Sequence, residues 1–240
     1  VSLSACDALQ AKVCLSLKDY TNAAAYADKV ITKSNFALST TSVEYAQAFV
    51  SNSSSKELVF ALANKRSTSL LLFYQTVNDI DPTWDYSPST ECYSHLYDDT
   101  AVKSKDIRAK AVFGADNSRI IKFPNGSTGQ FVTNEQPSQT PIVVTRVAEM
   151  YLIKAEALGA VNGLATLKEF MNKRYATVLL PSNMTDIEFQ NQILDERHRE
   201  LYAEGQRWYD LKRTNRLDLF SSLNGRNYLM YYPVPQSERD

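Results

Sequence analysis

The sequence predicts a mostly α-helical fold, built from paired antiparallel helices with a long irregular loop region and a few short strands. Three observations carry this reading. Apolar and small residues recur at steps of three and four at the start of the 240-residue chain and again from Thr145, which is the period of a helix face. Only 7 Gly and 8 Pro are present, too few for the closely spaced turns of a sandwich or barrel. Residues 70–141 follow neither period yet are rich in aromatics, and such density argues for an ordered loop rather than a disordered one.

The elements follow in order. Cys6, Leu9, Val13 and Leu17 make one apolar face and define a first helix expected to bury them. Lys18-Asp19 breaks the pattern, and Tyr20, Ala23, Ala24, Ala27, Val30 and Ile31 define a second helix. Alanines let antiparallel helices approach closely, so residues 1–33 read as a helical hairpin of tetratricopeptide type. Cys6 and Cys14 are separated by about 12 Å of helix rise. A disulfide tolerates roughly 7 Å, so these cysteines are read as small core residues.

A polar, Ser-rich stretch (35–55) carries a short helix at Val43–Phe49, and Glu57–Ala63 reads as extended. Within 70–141 the pattern gives a short helix at Ser89–Tyr97 and short strands at Arg119–Phe123 and Ile142–Val144. Val147, Met150, Tyr151, Lys154 and Leu158 then form one helical stripe, and Arg146, Glu149, Ile153 and Glu156 a second. Asn162-Gly163 is the expected turn into a helix from Leu164 to about Thr177. After Pro181, Thr185-Asp186 offers an N-cap and an early acid for a long helix to Glu204. Gly205 suits the C′ position, and a short helix spans Arg207–Arg213. The tail, Tyr231 to Pro235, is extended because Pro fixes φ.

Charge excludes several functions. A net charge of −1 gives no electrostatic drive towards nucleic acid or anionic membrane. No stretch is long and apolar enough to span a bilayer, and no leader pattern opens the chain, so any signal peptide is expected to have been removed or never present. His95 and His198 lack Cys or His companions at ligand spacing, so no metal is expected. No phosphate loop, nucleophile elbow or cofactor motif is seen.

On the long helix, Ile187, Leu194 and Leu201 share one face, with Arg197 and His198 beside it. A charge held against apolar surface must be paired, or it costs several kcal/mol. Arg146, Glu149, Glu156, Arg197, Glu200, Glu204, Arg207 and Asp210 are therefore expected to form a structural ion network, with Arg197 meeting Glu200 at i+3. That network locks the long helix to the helix carrying Glu149 and Glu156. Glu200 and Glu204 as a glycosidase pair is the catalytic alternative, but such carboxylates must face each other across a cleft. Neighbours on one helix point the same way, and no catalytic residue is expected.

The run Glu196-Arg197-x-x-Glu200-Leu201-x-x-Glu204-Gly205-x-Arg207-Trp208-x-Asp210-Leu211-x-Arg213 closely resembles the C-terminal signature of the SusD/RagB family. Arg146-x-x-Glu149-Met150-Tyr151-Leu152-x-x-Ala155-Glu156-Ala157, Phe170 to Arg174, and Tyr232 to Glu238 resemble further landmarks in the same order. The opening hairpin resembles the family's tetratricopeptide pair, and Asp106-Ile107-Arg108 resembles a structural turn with a local ion pair. The resemblance implies one SusD-like C-terminal domain over 1–240, with 70–141 as ligand loop and 145–213 as signature region. It implies non-catalytic capture of a glycan or other nutrient at the bacterial cell surface, without a cofactor. Delivery would be to a SusC-like TonB-dependent transporter in the outer membrane. Members of the family are about twice this length and begin with a lipidated cysteine, so this chain reads as a truncated or unusually short form whose lipid anchor is absent.

The residues themselves suggest where a ligand sits. Trp84, Tyr86, Tyr93 and Tyr74 supply rings that stack on the C–H faces of sugars, and Asn78, Asp81 and Asp85 supply groups for the hydroxyls. Trp208 is expected in the core. The alternative function is a tetratricopeptide-like adaptor for proteins, without sugar binding.

Overall fold

The computed structural model describes residues 1–50, 53–63, 88–97, 105–113, 120–123, 141–178 and 180–219. It divides into two compact units, Val1–Glu200 and Leu201–Asp240.

The first unit opens on α1 (Leu3–Ser16), capped by the Ser2 hydroxyl, and α2 (Tyr20–Ile31), capped by Asp19. Lys18 makes the tight turn between them with φ 62°. The hairpin forms as the sequence predicts, but its inner face differs. Ala5, Ala8, Ala11 and Leu15 are buried, whereas Val13 and Leu17 are 57% and 75% exposed. Cys6 is exposed too, and Cys14 is half-buried. The reason is distance. Ala8 and Ala11 pack with Ala23 and Ala27, and with Met150 and Ile153 of a later helix, and larger side chains on that face would hold the helices apart. The apolar stripe gave the right period and the wrong face.

Next come α3 (Ser42–Ala46), a 3-10 turn (Gln47–Phe49) and β1 (Leu58–Leu62). α4 (Thr90–Tyr97) and α5 (Ile107–Val112) follow. β2 (Ile142–Arg146) pairs antiparallel with β1, matching Leu58 to Arg146 and Leu62 to Ile142 with two irregularities between. Of the strand expected at Arg119–Phe123, the described residues 120–123 form one isolated bridge, Phe113 to Ile120.

α6 (Val147–Arg174) holds a sharp break at Gly159, with φ 71° and ψ 179°, a conformation open to glycine alone. The turn therefore falls at Gly159 and not at Asn162-Gly163. Gly163 has another task. A Cβ there would lie 2.0 Å from the Ala155 backbone oxygen and 3.0 Å from the Phe189 ring. Its bare Cα lets the second half of α6 fold back against the first. Around this contact Ala148, Leu152, Ala155, Leu164, Leu167 and Phe170 build a core with Phe189 and Ile193.

Phe189 and Ile193 belong to α7 (Asp186–Glu200). A capping box starts this helix: the Thr185 hydroxyl accepts from the Glu188 N–H, and Glu188 accepts from the Thr185 N–H at 2.8 Å. Ile187 was expected inside and is 72% exposed, while Phe189, Ile193, Leu194, Glu196, Arg197 and Glu200 are buried. The helix stops at Glu200, one turn before the expected end at Glu204. Its carbonyl would accept from Glu204 N–H in a longer helix. Instead it accepts from Tyr45 Oη, Lys122 Nζ and Arg146 Nη2, at 3.0, 2.9 and 2.9 Å.

In the second unit, Ala203 and Gly205 take positive φ in the turn that precedes α8 (Arg207–Arg213), so Gly205 does not directly cap the long helix. Asp210 and Leu211 are buried, Trp208 is half-buried rather than buried, and Asp210 pairs with Arg213 at 2.9 Å. Among the described residues no helix is long and apolar enough to cross a membrane.

Candidate functional site

At the heart of the first unit is a buried cluster of ions. Glu57 stands just before β1, Asp106 and Arg108 open α5, Arg146 ends β2, Arg174 ends α6, and Glu196 and Glu200 lie one turn apart on α7. Five separate elements thus converge on one place. All seven side chains are at most 2% exposed.

Glu200 is the hub. It accepts from Arg146 Nη1, from Arg174 Nε at 2.9 Å and from Arg108 Nη1 at 3.4 Å. Arg146 and Arg174 also share Glu57, at 3.0 and 2.8 Å. Arg108 meets Asp106 and Glu196 at 2.8 and 2.9 Å, and Tyr175 Oη donates to Glu196 at 2.7 Å. Aromatic faces complete the enclosure. The Arg146 guanidinium lies over Tyr45 and Phe49, and that of Arg174 over Tyr45 and Phe170, all at 5.2–5.4 Å.

Pairing of this density decides the charge states. Burial works to raise the Glu200 carboxyl, but Arg174, Arg146 and Arg108 outweigh it and hold the group well below the usual carboxylate range. Glu196 is likewise raised by burial and lowered further by Arg108 and Arg199. These folded-state values lie below those of the unfolded chain, so the stability they contribute is fully present above the ordinary carboxylate pKa. It is lost as pH falls through that range towards the folded-state values. Chemical unfolding at a series of pH values should show a steep loss of stability below about pH 4.5. A flat profile from pH 6 to pH 3 would refute this account.

The predicted network is partly drawn together here. Arg146 meets Glu200. Arg197 does not meet Glu200 at i+3 but reaches Glu149 at 3.5 Å, because Glu200 points into the arginines. Glu149 also receives Lys12 at 3.1 Å, which ties α6 to the first hairpin. Glu156 is half-buried on α6, Glu204 half-buried in the turn of the second unit, and Arg207 and Asp210 sit on α8. Glu57 and Lys122 escaped sequence reasoning, Arg174 was read only as a landmark, and Arg108 was read only as half of a local ion pair with Asp106, which forms at 2.8 Å. The available signal was charge beside apolar runs: Glu57 abuts Leu58 to Leu62, and Lys122 lies between Ile121 and Phe123.

Of the residues expected to hold a ligand, Trp84, Tyr86, Tyr74, Asn78, Asp81 and Asp85 lie outside the described residues. Tyr93 lies on α4, half-buried, with its ring 5.8 Å from Tyr97 and 5.3 Å from Phe113. Such a tilted and edge-on stack belongs to a packed aromatic cluster. The two histidines gain companions that spacing could not reveal: His95 meets Asp195 at 3.2 Å, and Cys92 lies 3.9 Å from His198. Among the described residues no three such groups converge on a common metal position.

The described parts are thus a helical scaffold cross-braced by buried arginines, and known proteins share its fold. The sequence model of the SusD family matches residues 117–240, and the chain belongs to that family. The starch-binding protein SusD of Bacteroides thetaiotaomicron is 32% identical over 158 residues, a match covering 60% of this chain and 28% of that protein. SusD-like protein P38 of Formosa agariphila is 37% identical over 106 residues, covering 38% of this chain and 21% of that protein. Among solved structures, a laminarin-binding SusD-like protein superposes with a TM-score of 0.68 at 22% identity, over 99% of this chain and 59% of that one. Surface glycan-binding protein A of Bacteroides thetaiotaomicron, solved with laminarihexaose, gives 0.65 at 16% identity, over 98% and 59%. The chain therefore spans only part of the length of the relatives it matches.

Proposed function

We propose that the protein binds a glycan at the bacterial cell surface without transforming it, and passes it to a SusC-like TonB-dependent transporter in the outer membrane. The observation that carries this reading is family membership together with a 32%-identical relative named for binding starch. Two structural relatives named for binding laminarin or surface glycan support it through shared fold. The non-catalytic part is supported by Glu196 and Glu200. Both are buried and held ionised by arginines, so neither is placed to exchange protons with a substrate. Attachment to the membrane is through an N-terminal lipid, as the family resemblance implies.

The ligand lies on the loop that carries Trp84, with Tyr74, Tyr86 and the half-buried Tyr93 as rings and Asn78, Asp81 and Asp85 as hydroxyl partners. Affinity gels cast with starch or laminarin test the reading. The wild type should be retarded, and Trp84→Ala should weaken binding about tenfold, the loss expected for one ring stack of roughly 1.4 kcal/mol. Free migration of the wild type through every polysaccharide, together with capture of a peptide, would instead favour an adaptor.

A further inference from the structure

We propose that a cleft in the first unit, between the segment leading into α3 and the turn before β1, is a second contact for the glycan and takes one uncharged pyranose unit. The inference rests on the glycan reading above and assigns it a place that the aromatic loop does not include.

The cleft measures about 350 Å³, and Leu38, Ser39, Glu44, Gln47, Ser54 and Lys56 are among the residues that line it. That volume is at the lower end of the range for small-ligand sites, about 300–1,000 Å³. Its walls are fixed from behind. Ser39, 6% exposed, donates its N–H to Glu57 at 2.7 Å, and its carbonyl accepts from Arg174 at 2.8 Å. Both partners belong to the buried ion cluster. On the opposite side, Ala37 N–H donates to the Lys56 carbonyl at 3.0 Å, joining the two walls. Thr41 caps α3, and Thr40 gives both its N–H and its hydroxyl to a single Glu44 oxygen, Oε2, at 2.8 and 3.1 Å. Glu44 also takes the Thr41 N–H, and a carboxylate with about four lone-pair sites still has room to accept from a ligand.

The polar groups that face the cleft make a set suited to a polyol. Besides the Glu44 carboxylate, the Gln47 amide, the Ser54 hydroxyl and the Lys56 ammonium have no hydrogen bond to another described side chain. Two of these groups donate and accept, one only accepts and one only donates. Vicinal hydroxyls, each donor and acceptor at once, match such a mixture. Glu44 and Lys56 carry opposite single charges, so the cleft favours neither an anion nor a cation. Ala37 and Leu38 add a small apolar strip for a C–H face. Without an aromatic plate the contact is weak alone, and it adds to affinity when the same glycan also occupies the loop.

The test compares laminarihexaose and maltohexaose binding by calorimetry for wild type, Trp84→Ala and the double variant Gln47→Ala/Lys56→Ala. Both cleft residues lie outside the buried ion cluster, so an unchanged melting temperature checks that the double variant folds. The proposal expects the double variant to bind at least about tenfold more weakly, the factor for losing two ordinary hydrogen bonds. Wild-type affinity in the double variant, with loss in Trp84→Ala, overturns the cleft and leaves the glycan reading standing. Absence of wild-type binding to either hexaose and to a wider glycan panel overturns both.

Discussion

Replacing Glu200 by Ala should remove about 3–5 kcal/mol of folding stability, the cost of breaking a buried ion pair from one side. A domain of this kind has only about 5–15 kcal/mol in total, so the urea midpoint should fall to a fraction of its wild-type value. The argument lies in what remains. Arg146 and Arg174 would lose the carboxylate they both face and keep Glu57 as the acid they share among the described residues, both nearly inaccessible to water. Arg108 would keep Asp106 and Glu196 and suffer less. Glu200→Gln retains the shape and some of the hydrogen bonds, so it should fall between Ala and wild type. An Ala variant whose unfolding midpoint matches wild type would show that the cluster relaxes or hydrates without cost, and the scaffold account would fail.

Gly163→Ala should produce the second large loss, about 3 kcal/mol or somewhat more, at the upper end for overpacking a core. The added carbon would sit 2.0 Å from the Ala155 backbone oxygen. A backbone atom cannot rotate aside, so the two halves of α6 must part and the Phe189 contact opens with them. Gly159→Ala is the useful comparison. There the surrounding space is open and only the positive φ is strained, which costs about 1–3 kcal/mol. Thermal melts of the two variants should therefore rank Gly163→Ala as the less stable. The reverse order would mean that the halves of α6 are not pressed together as described.

Much of this architecture was legible in the sequence because period is a local property. The first hairpin, the short helix before Tyr97, the β1 and β2 segments and the Thr185 cap all depend on residues within a few positions of one another. What local pattern could not tell was which side of a helix faces inward. On α1, Leu9, Val13 and Leu17 look like a core stripe, and the decision went to the alanines because partners on α2 and α6 demanded close approach. Gly159 and Gly163 were confused for a similar reason. Either glycine can make a turn, and only the folded-back half of α6 shows which one must lack a side chain. The ion cluster was legible in kind but not in membership. The signature helix announced buried charge, yet its strongest partners, Glu57, Arg108 and Arg174, come from segments distant in sequence. The ligand loop was read from composition alone, and its six central residues fall outside the described structure.

The outer face of α1 has a practical consequence. Leu3, Cys6, Leu9, Val13, Leu17 and Tyr20 are all exposed on or beside it, with no charged side chain among them. Apolar side chains set side by side on an exposed helix face favour contact with other apolar surface. The isolated chain in concentrated solution therefore carries an adhesive strip, and oxidation at Cys6 would convert passing encounters into covalent pairs. Retardation in a polysaccharide gel must be read against that stickiness. Work under reducing conditions and at low protein concentration separates adhesion through α1 from capture of sugar.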